Sequence, residues 1–237
     1  MGKNLQTQRR GRGTQRYSAP SFNYVAQASH RKLDNELATA VVKDIVHCPG
    51  HYAPLIELKY SNGEEGYDIA PEGIRTGDVI QSGINAPIQM GNTVALKNIP
   101  EGTEIFNVEG TPGDGGKFIR TSGCVGKVMS KTGNIVKVLM PSRKEKEFDF
   151  GCRAQIGVVA GTGRPDKPFM KAGDKWFARK TRNKMYPRVC GVSKNAVDHP
   201  FGGKSSHHKG KPTVAPRNAP AGRKVGKIRP RRTGMIR

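Results

Sequence analysis

Short runs of alternating and β-branched residues dominate the chain from about residue 39 to residue 99. Residues 41–46 are rich in β-branched side chains, and residues 56–60 alternate between apolar and polar positions. The Asn62-Gly63 pair that follows predicts a hairpin, because both residue types tolerate positive φ. Residues 66–70 are predicted as the return strand of this hairpin, and further short strands are predicted at 79–80 and 94–96. Strand signals at this spacing predict a small β-barrel.

A second set of strand signals follows between residues 100 and 165. Residues 104–108 and 117–120 alternate, and Thr132-Gly133-Asn134 is typical of a hairpin turn. The apolar run at 155–160 closes the set. These signals are enough for a second five-stranded barrel, and no convincing amphipathic helix accompanies either barrel. The sequence therefore predicts a mainly β protein.

The two ends of the chain have a different composition, and charge separates them from the middle. Residues 1–32 carry seven Lys or Arg and no acid, whereas residues 33–160 carry 13 basic and 16 acidic residues. Residues 161–237 carry 21 basic and three acidic residues, within a total formal charge of +22. These ends are also rich in Gly and Pro, so we expect irregular basic extensions. The predicted segments are a basic N-terminal arm at 1–35, a barrel at 36–99, a second barrel at 100–165 and a basic irregular C-terminal extension at 166–237.

This charge distribution indicates a polyanionic partner. A folded body of low net charge with two strongly basic ends suits a protein that inserts its ends into nucleic acid, since each phosphate can pair with a Lys or Arg. The four cysteines are widely spaced and form no CxxC pair, which favours free thiols in a reducing compartment. No apolar run reaches the ~20 residues that a membrane-spanning helix needs. We expect no membrane association and a cytoplasmic location.

Residues 110–117 resemble a phosphate-binding loop only superficially. Thr111 stands where that motif needs Gly, and Phe118 follows Lys117 where the motif needs Ser or Thr. We predict a Gly-rich turn whose backbone N–H groups face RNA phosphate. The segment from His47 to His51 contains one Cys and two His, but no second pair of ligands stands at usable spacing. We therefore predict no metal site.

Asp198-His199 could form part of a catalytic triad, but the chain has no Gly-x-Ser-x-Gly elbow around a nucleophile. A polar loop whose histidine donates to RNA is the preferred interpretation. We expect RNA contacts from cations of the two extensions and of the barrel loops, together with one histidine. These residues are Arg9, Arg10, Arg12, Arg16, His30, Arg31, Lys32, Lys117, Arg120, Arg153, Arg164, Lys167, Lys171, Lys180, Arg188, Lys204, Lys209, Lys211, Arg217, Arg223 and Lys224.

Several blocks of the sequence resemble the universal large-subunit ribosomal protein two family. The most specific block is residues 191–203, which reads Gly-Val-Ser-Lys-Asn-Ala-Val-Asp-His-Pro-Phe-Gly-Gly. Residues 112–117, Pro-Gly-Asp-Gly-Gly-Lys, resemble a second family block. Other matching blocks lie at 9–13, 30–32, 70–73, 153–157 and 217–220. Phe201 after the Asp-His-Pro segment resembles the archaeal and eukaryotic branch of the family.

The resemblance to this family implies a fold, a function and partners that composition alone does not indicate. It implies an OB-like barrel followed by an SH3-like barrel, direct binding to large-subunit rRNA, and support of subunit assembly and association. Neighbouring ribosomal proteins and the small subunit are the further implied partners. It also implies a non-enzymatic role, with no cofactor beyond magnesium ions associated with rRNA. Finally, it implies a loop that approaches the peptidyl-transferase region, made by Asn195, Asp198, His199, Pro200, Gly202 and Gly203.

Two functions of other classes remain as alternatives. A DNA-architectural or chromatin protein could use the same basic ends, and it would bind duplex DNA as tightly as folded rRNA. An RNA-acting enzyme could be centred on Asp198 and His199, and it would lose turnover but not binding when His199 is replaced.

Overall fold

A computed structural model describes residues 2–32, 37–83, 85–203 and 207–229. The predicted boundary between arm and first barrel, at residues 35 and 36, lies outside these residues, as does Lys204. The chain divides into two units, one formed by Ser21–Met170 and the other by Met1–Pro20 together with Lys171–Arg237. The two predicted barrels thus belong to one unit, and most of each predicted basic extension belongs to the other.

The unit Ser21–Met170 is built on one ten-stranded sheet, which confirms the prediction of a mainly β protein. The predicted alternating segments account for most of the strands, because alternation places one face of each strand in the core. The strands are β1 (Ala38–Val46), β2 (Leu55–Tyr60), β3 (Glu65–Ile69), β4 (Val79–Ser82), β5 (Thr93–Ala95), β6 (Glu104–Phe106), β7 (Gly126–Thr132), β8 (Ile135–Leu139), β9 (Glu145–Asp149) and β10 (Arg153–Ile156).

The strand order is β3-β2-β1-β4-β5-β10-β6-β7-β8-β9, so the first five strands and the last five form two successive groups. The strand β10 joins these groups, because it pairs antiparallel with β5 on one side and with β6 on the other. Gln155 accordingly stands opposite Thr93 and opposite Phe106. Within this sheet, the strand that comes last in chain order is therefore the one that connects the two groups.

Both predicted hairpins are present. In the first, Lys59 of β2 pairs with Glu65 of β3, and Gly63 in the connecting turn has a φ of 85°. In the second, Thr132 and Ile135 pair directly, with Gly133 at a φ of 57° between them. These positive values explain why glycine is needed at both turns.

The core of this unit contains two clusters of buried side chains. The smaller cluster belongs to the first strand group and includes Val42, Ile56 and Ile80. The larger cluster combines residues from both groups, among them Leu55 of β2 and Val138 of β8. A continuous apolar cluster across the two groups makes the ten strands one packed body.

The predicted strand at 117–120 is wrong. Only Phe118 forms a bridge, opposite Val108, and Ile119 has a φ of 56°. Positive φ is unusual for a β-branched residue, and it turns the chain out of extended conformation. The buried side chain of Ile119 joins the core instead of a ladder.

The unit of residues 1–20 and 171–237 contains little regular structure. Its helices are α1 (Gln6–Gly11) and α2 (Ala172–Lys180), and its only described strands are β11 (Val214–Ala215) and β12 (Lys227–Ile228), which pair in parallel. Short 3-10 turns lie at Gln15–Tyr17 and Gly191–Ser193, and a third, Ser21–Asn23, begins the other unit. The N-terminal arm, which the sequence predicts to be irregular, thus contains α1 and two of these turns.

No described helix is long and apolar enough to cross a membrane. Within the described residues, no group of three His, Cys, Asp or Glu side chains is arranged to hold a metal ion.

Candidate RNA interface

Exposed cations cover the unit of residues 1–20 and 171–237. The predicted RNA-binding residues whose side chains are exposed here are Arg9, Arg12, Arg16, Lys171, Lys180, Arg188, Lys209, Lys211, Arg217, Arg223 and Lys224. Arg10 is partly buried and donates a hydrogen bond to the Asn183 carbonyl oxygen. The structure thus gathers cations from both chain ends into one strongly basic unit, whose charge favours a phosphate polymer as partner.

Aromatic rings lie beside several of these cations. The Arg10 guanidinium is 5.5 Å from the centre of the Tyr17 ring, and the Lys180 ammonium is 4.8 Å from that of Trp176. Trp176 packs edge-on against Phe177, and both remain exposed, by 40% and 63%. Exposed rings next to cations are typical of surfaces that stack on unpaired bases. The indole of Trp176 is therefore not buried in a core, and it is available for stacking.

The loop from Cys190 to Gly203 depends on two glycines for its shape. A Cβ atom on Gly191 would stand 2.4 Å from the His199 ring, and one on Gly202 would stand 2.2 Å from the Lys194 carbonyl oxygen. Backbone bonds from Asp198 and His199 to the Asn195 carbonyl oxygen, at 2.9 and 3.1 Å, close the turn. The family-specific segment is therefore a tightly wound loop.

His199 is held in a defined orientation within this loop. The Phe201 backbone N–H donates to His199 Nδ1 at 3.1 Å, so Nδ1 acts as an acceptor and Nε2 carries the proton of the neutral ring. Burial lowers the pKa of His199, and the positive charge of Lys194 lowers it further. The neutral imidazole can therefore offer Nε2–H as a donor.

Asp198 interacts with the N-terminal segment. Its carboxylate lies 2.8 Å from the Lys3 ammonium, and the Lys3 backbone N–H donates to the Val197 carbonyl oxygen at 3.2 Å. The hydrogen bond from Lys3 holds the pKa of Asp198 below its usual range. Asp198 therefore ties the N-terminal segment to the loop, and its carboxylate is occupied by Lys3.

The Gly-rich turn at 110–117 differs from the prediction that its backbone N–H groups face phosphate. The Asp114 carboxylate already accepts hydrogen bonds from the N–H groups of Gly110, Thr111 and Gly116, at 2.9 to 3.1 Å. Burial alone would raise the pKa of Asp114, but these bonds and Lys117 outweigh burial and lower it. An internal carboxylate thus occupies the position that an external phosphate was expected to take.

Two predicted RNA-binding residues are buried inside the protein. His30 lies with Nδ1 3.1 Å from an Asp68 carboxylate oxygen and with Nε2 2.6 Å from the Asn107 carbonyl oxygen. Arg153 forms a buried ion pair with Glu109 at 2.7 Å. Both residues are only 5% exposed and have internal partners, and their contact with RNA stays a prediction.

The backbone of the segment around His30 accepts hydrogen bonds from two arginines of the same unit. Arg120 donates to the Ala28 carbonyl oxygen at 2.6 Å, and Arg153 donates to that of Arg31 at 2.7 Å. Burial lowers the pKa of the Arg120 guanidinium. Arg120 and Arg153 therefore hold the segment that precedes the first barrel.

The remaining predicted residues lie on the surface of the sheet unit. Arg31 pairs with Glu64 at 2.7 Å, and the Arg164 guanidinium stacks 4.0 Å from the centre of the Tyr52 ring. Lys32, Lys117 and Lys167 have exposed side chains, although Lys117 also pairs with Asp114.

Sequence reasoning missed several residues that shape this interface. Lys3 and Gly191 were not selected, although each contacts the Asp198-His199 segment. The helix α2 was also missed. Its available signal was charge placement, with Asp174 in the first turn and Arg179 and Lys180 in the last, which complements the helix dipole.

Comparison with known proteins identifies the class of protein. Residues 4–82 match the RNA-binding N-terminal domain of ribosomal proteins L2, and residues 89–223 match the C-terminal domain of the same proteins. The chain belongs to the ribosomal protein L2 family, which confirms the resemblance found in the sequence. Since this is a family of structural ribosomal proteins, the prediction of a non-enzymatic protein is confirmed as well.

Individual relatives match along the whole chain. The large ribosomal subunit protein uL2 of Archaeoglobus fulgidus is 52% identical over 237 residues, covering 100% of both chains. The protein of the same name from Haloarcula marismortui is 49% identical, covering 99% of this chain and 98% of its own. That from Methanocaldococcus jannaschii is 47% identical, covering 99% of each. These relatives are archaeal, in line with the branch that Phe201 indicated.

Proposed function

We propose that this protein is a structural constituent of the large ribosomal subunit and binds the subunit's rRNA directly. Full-length similarity to proteins named large ribosomal subunit protein uL2 carries the proposal. The basic unit supports it independently, since exposed cations and aromatic rings from both chain ends suit phosphate and base contacts together. The working location is the cytoplasmic ribosome, and the protein needs no cofactor of its own beyond magnesium bound to rRNA.

The finer part of the proposal concerns the loop from Asn195 to Gly203. We infer that it approaches the peptidyl-transferase region, with the Nε2–H of His199 directed at RNA. The rigid backbone of the loop and the neutral imidazole support a role in shaping RNA locally. Neighbouring ribosomal proteins and the small subunit are the further proposed partners, through which the protein supports subunit assembly and association.

An enzyme centred on Asp198 and His199 has less support. A triad needs the carboxylate to orient the histidine, whereas Asp198 pairs with Lys3 and His199 Nδ1 accepts from a backbone N–H. Because His199 Nδ1 already accepts that hydrogen bond, the Asp198 carboxylate does not fix the tautomer of the ring.

The test is sedimentation of a cell lysate on sucrose gradients at moderate and then high salt, with detection of this chain. We expect it to travel with large subunits and to survive the salt wash. Sedimentation with chromatin, or at the top of the gradient, would overturn the proposal and favour a DNA-architectural protein. Comparison of purified protein on folded rRNA and on duplex DNA provides the second readout, with selective binding to rRNA expected.

A further inference from the structure

A preformed cavity lies within the unit of residues 1–20 and 171–237, beside the loop that carries His199. Its volume is about 460 Å³, within the ~300–1,000 Å³ typical of sites for small ligands. Its apolar lining consists of Pro200, Phe201, Pro212, Val214, Ala215 and Val225. Neither the family resemblance nor the candidate RNA interface accounts for an apolar cavity in so basic a unit.

Backbone pairing fixes the walls of this cavity. Val214 and Ala215 of β11 pair in parallel with β12, and the Arg229 N–H donates to the Ala215 carbonyl oxygen at 3.0 Å. Gly226 lies so close to the neighbouring backbone that a Cβ would stand 2.3 Å from the Thr213 carbonyl oxygen. A cavity framed by such contacts requires little rearrangement when it is filled.

The charges around the cavity indicate which kind of chemical group it can bind. Its charged lining residues are Lys211 and Arg223, both cations, and Lys209 stands 5.8 Å from the centre of the Phe201 ring. An apolar cavity whose charged lining residues, among those that the structure describes, are cations fits a group with an uncharged flat part and an attached anion. A nucleotide has this composition, with the base as the flat part and the phosphate as the anion.

We propose that this cavity receives one unpaired base of the large-subunit rRNA, with its flanking phosphates at Lys211 and Arg223. The inference rests on the proposed function and adds to it a site for a single nucleotide. The Phe201 residue is 9% exposed and lines the cavity with that small part of its surface, where it contacts the base, while the His199 ring packs against it from the loop at 5.2 Å between centres. The proposal thereby assigns Phe201 a role beyond packing.

Gly222 offers a direct test, because it lines the cavity and no atom lies within 4 Å of the place where its Cβ would stand. Gly222→Leu therefore adds an apolar side chain at the cavity wall without a backbone clash. The matched control is Gly163→Leu, at a glycine that has equal free space and does not line the cavity. The probe is large-subunit rRNA transcribed in vitro, with binding of the full-length protein measured across a salt series.

We expect Gly222→Leu to weaken binding about tenfold with an unchanged salt slope, because base stacking is lost and ionic contacts are kept. Gly163→Leu should bind as the wild type does. Arg223→Ala should instead lower the salt slope by roughly 0.7–0.9, the amount for one lost phosphate contact. Equal affinity of Gly222→Leu and the wild type overturns the nucleotide site but leaves rRNA binding intact, whereas failure of the wild type to prefer rRNA overturns the proposed function.

Ultraviolet crosslinking of wild-type protein in intact large subunits gives a result that needs no variant. We expect a single rRNA nucleotide attached to Phe201 or to the peptide of residues 212–215. A crosslink from these residues to another ribosomal protein, or none to RNA, contradicts the proposal. Loss of the same nucleotide crosslink in subunits that carry Gly222→Leu would support it further.

Discussion

At the scale of single residues, the ion pair of Arg153 and Glu109 is the most sensitive point of the sheet unit. Glu109 also accepts a hydrogen bond from the Gly115 N–H, and Arg153 also holds the Arg31 carbonyl oxygen. The two side chains therefore connect the Gly-rich turn, the sheet and the segment before the first strand. Removing either partner leaves a buried charge without compensation.

We expect Arg153→Ala to reduce the free energy of unfolding by about 3–5 kcal/mol, the range for breaking a buried ion pair. The measurement is urea denaturation followed by circular dichroism. The matched control is Lys43→Ala, which breaks the exposed Lys43–Glu57 pair at 2.8 Å and should cost far less stability than Arg153→Ala, because solvent screens this pair. Similar costs for the two variants would contradict the structural role assigned to Arg153.

The same pair predicts how stability depends on pH. Burial alone would raise the pKa of Glu109, but the hydrogen bonds and charge of Arg153 outweigh burial and lower it. Because the folded-state pKa lies below the unfolded one, the contribution of Glu109 to stability is present above about pH 4.5 and is lost as the pH falls through the folded-state value.

This prediction is tested by the urea midpoint at pH 7 and at successively lower pH. We expect the loss of stability on acidification to be smaller in Glu109→Gln than in the wild type, because the variant lacks the titrating group. An equal loss in both proteins would show that other carboxylates govern acid unfolding.

Residue types alone could not reveal which cations are buried. Arg153 and Lys117 look equivalent in the sequence, since each is the single cation of a block that matches the family. Their environments differ because Glu109, 44 positions before Arg153, is brought against it by the fold. The hydrogen bonds of Asp114 to its own turn could not be predicted either. In the sequence, a carboxylate that accepts such bonds looks like any other acid in a Gly-rich loop.

At the scale of elements, the strands were the most predictable part of the molecule. The alternation in β8, with Val136 and Val138 inward and Ile135 outward, matches the burial found in the structure. The two hairpin turns followed from glycine chemistry. The helices α1 and α2 were missed because they lack a buried apolar face, which is the signal that sequence periodicity detects.

We expect Val138→Asp to unfold the sheet unit, because it places an unpaired charge in the larger core cluster. Ile135→Asp on the same strand is the matched control, since the Ile135 side chain is 43% exposed and should tolerate the charge. Thermal melting followed by circular dichroism distinguishes the two. A cooperative melt retained by Val138→Asp would refute the assigned core.

The loop of residues 190–203 offers a test at the same scale. Gly202→Ala should displace the loop and cost about 1–3 kcal/mol, the range for overpacking, because its Cβ would overlap the Lys194 carbonyl oxygen. Gly203→Ala, whose Cβ would meet no atom within 4 Å, is the control. The readout is the NMR signal of the His199 ring, which should shift in the first variant only. Unchanged signals in Gly202→Ala would contradict the close packing described for the loop.

At the scale of the whole molecule, the main difference from the sequence-based picture is that the two basic ends share a unit. Asn183 donates to the carbonyl oxygens of Arg16 and Ser18, at 2.8 and 2.7 Å, and Lys3 pairs with Asp198. These partners are more than 160 positions apart, a separation that local patterns cannot detect. Composition identifies two basic segments but does not indicate that they contact each other.

We expect replacement of Arg9, Arg10 and Arg12 by Ala to weaken rRNA binding and to flatten its salt slope by up to roughly 2–3, since each phosphate contact contributes about 0.7–0.9. The ten-stranded sheet should melt as it does in the wild type, because these residues lie in the other unit. Filter binding across a salt series and a thermal melt supply the two readouts. Loss of the cooperative melt of the sheet would contradict the division into units.

The position of β10 between the two strand groups has a consequence for synthesis of the chain. The strand β5 ends at Ala95, but its antiparallel partner begins only at Arg153. At translation rates of about 5–20 residues per second, the partner is made roughly 3 to 12 s later. During that interval the nascent first strand group exposes an unpaired edge and part of its core, so a chaperone or the growing chain itself must shield it. The rate of translation therefore sets how long this edge and this part of the core stay exposed.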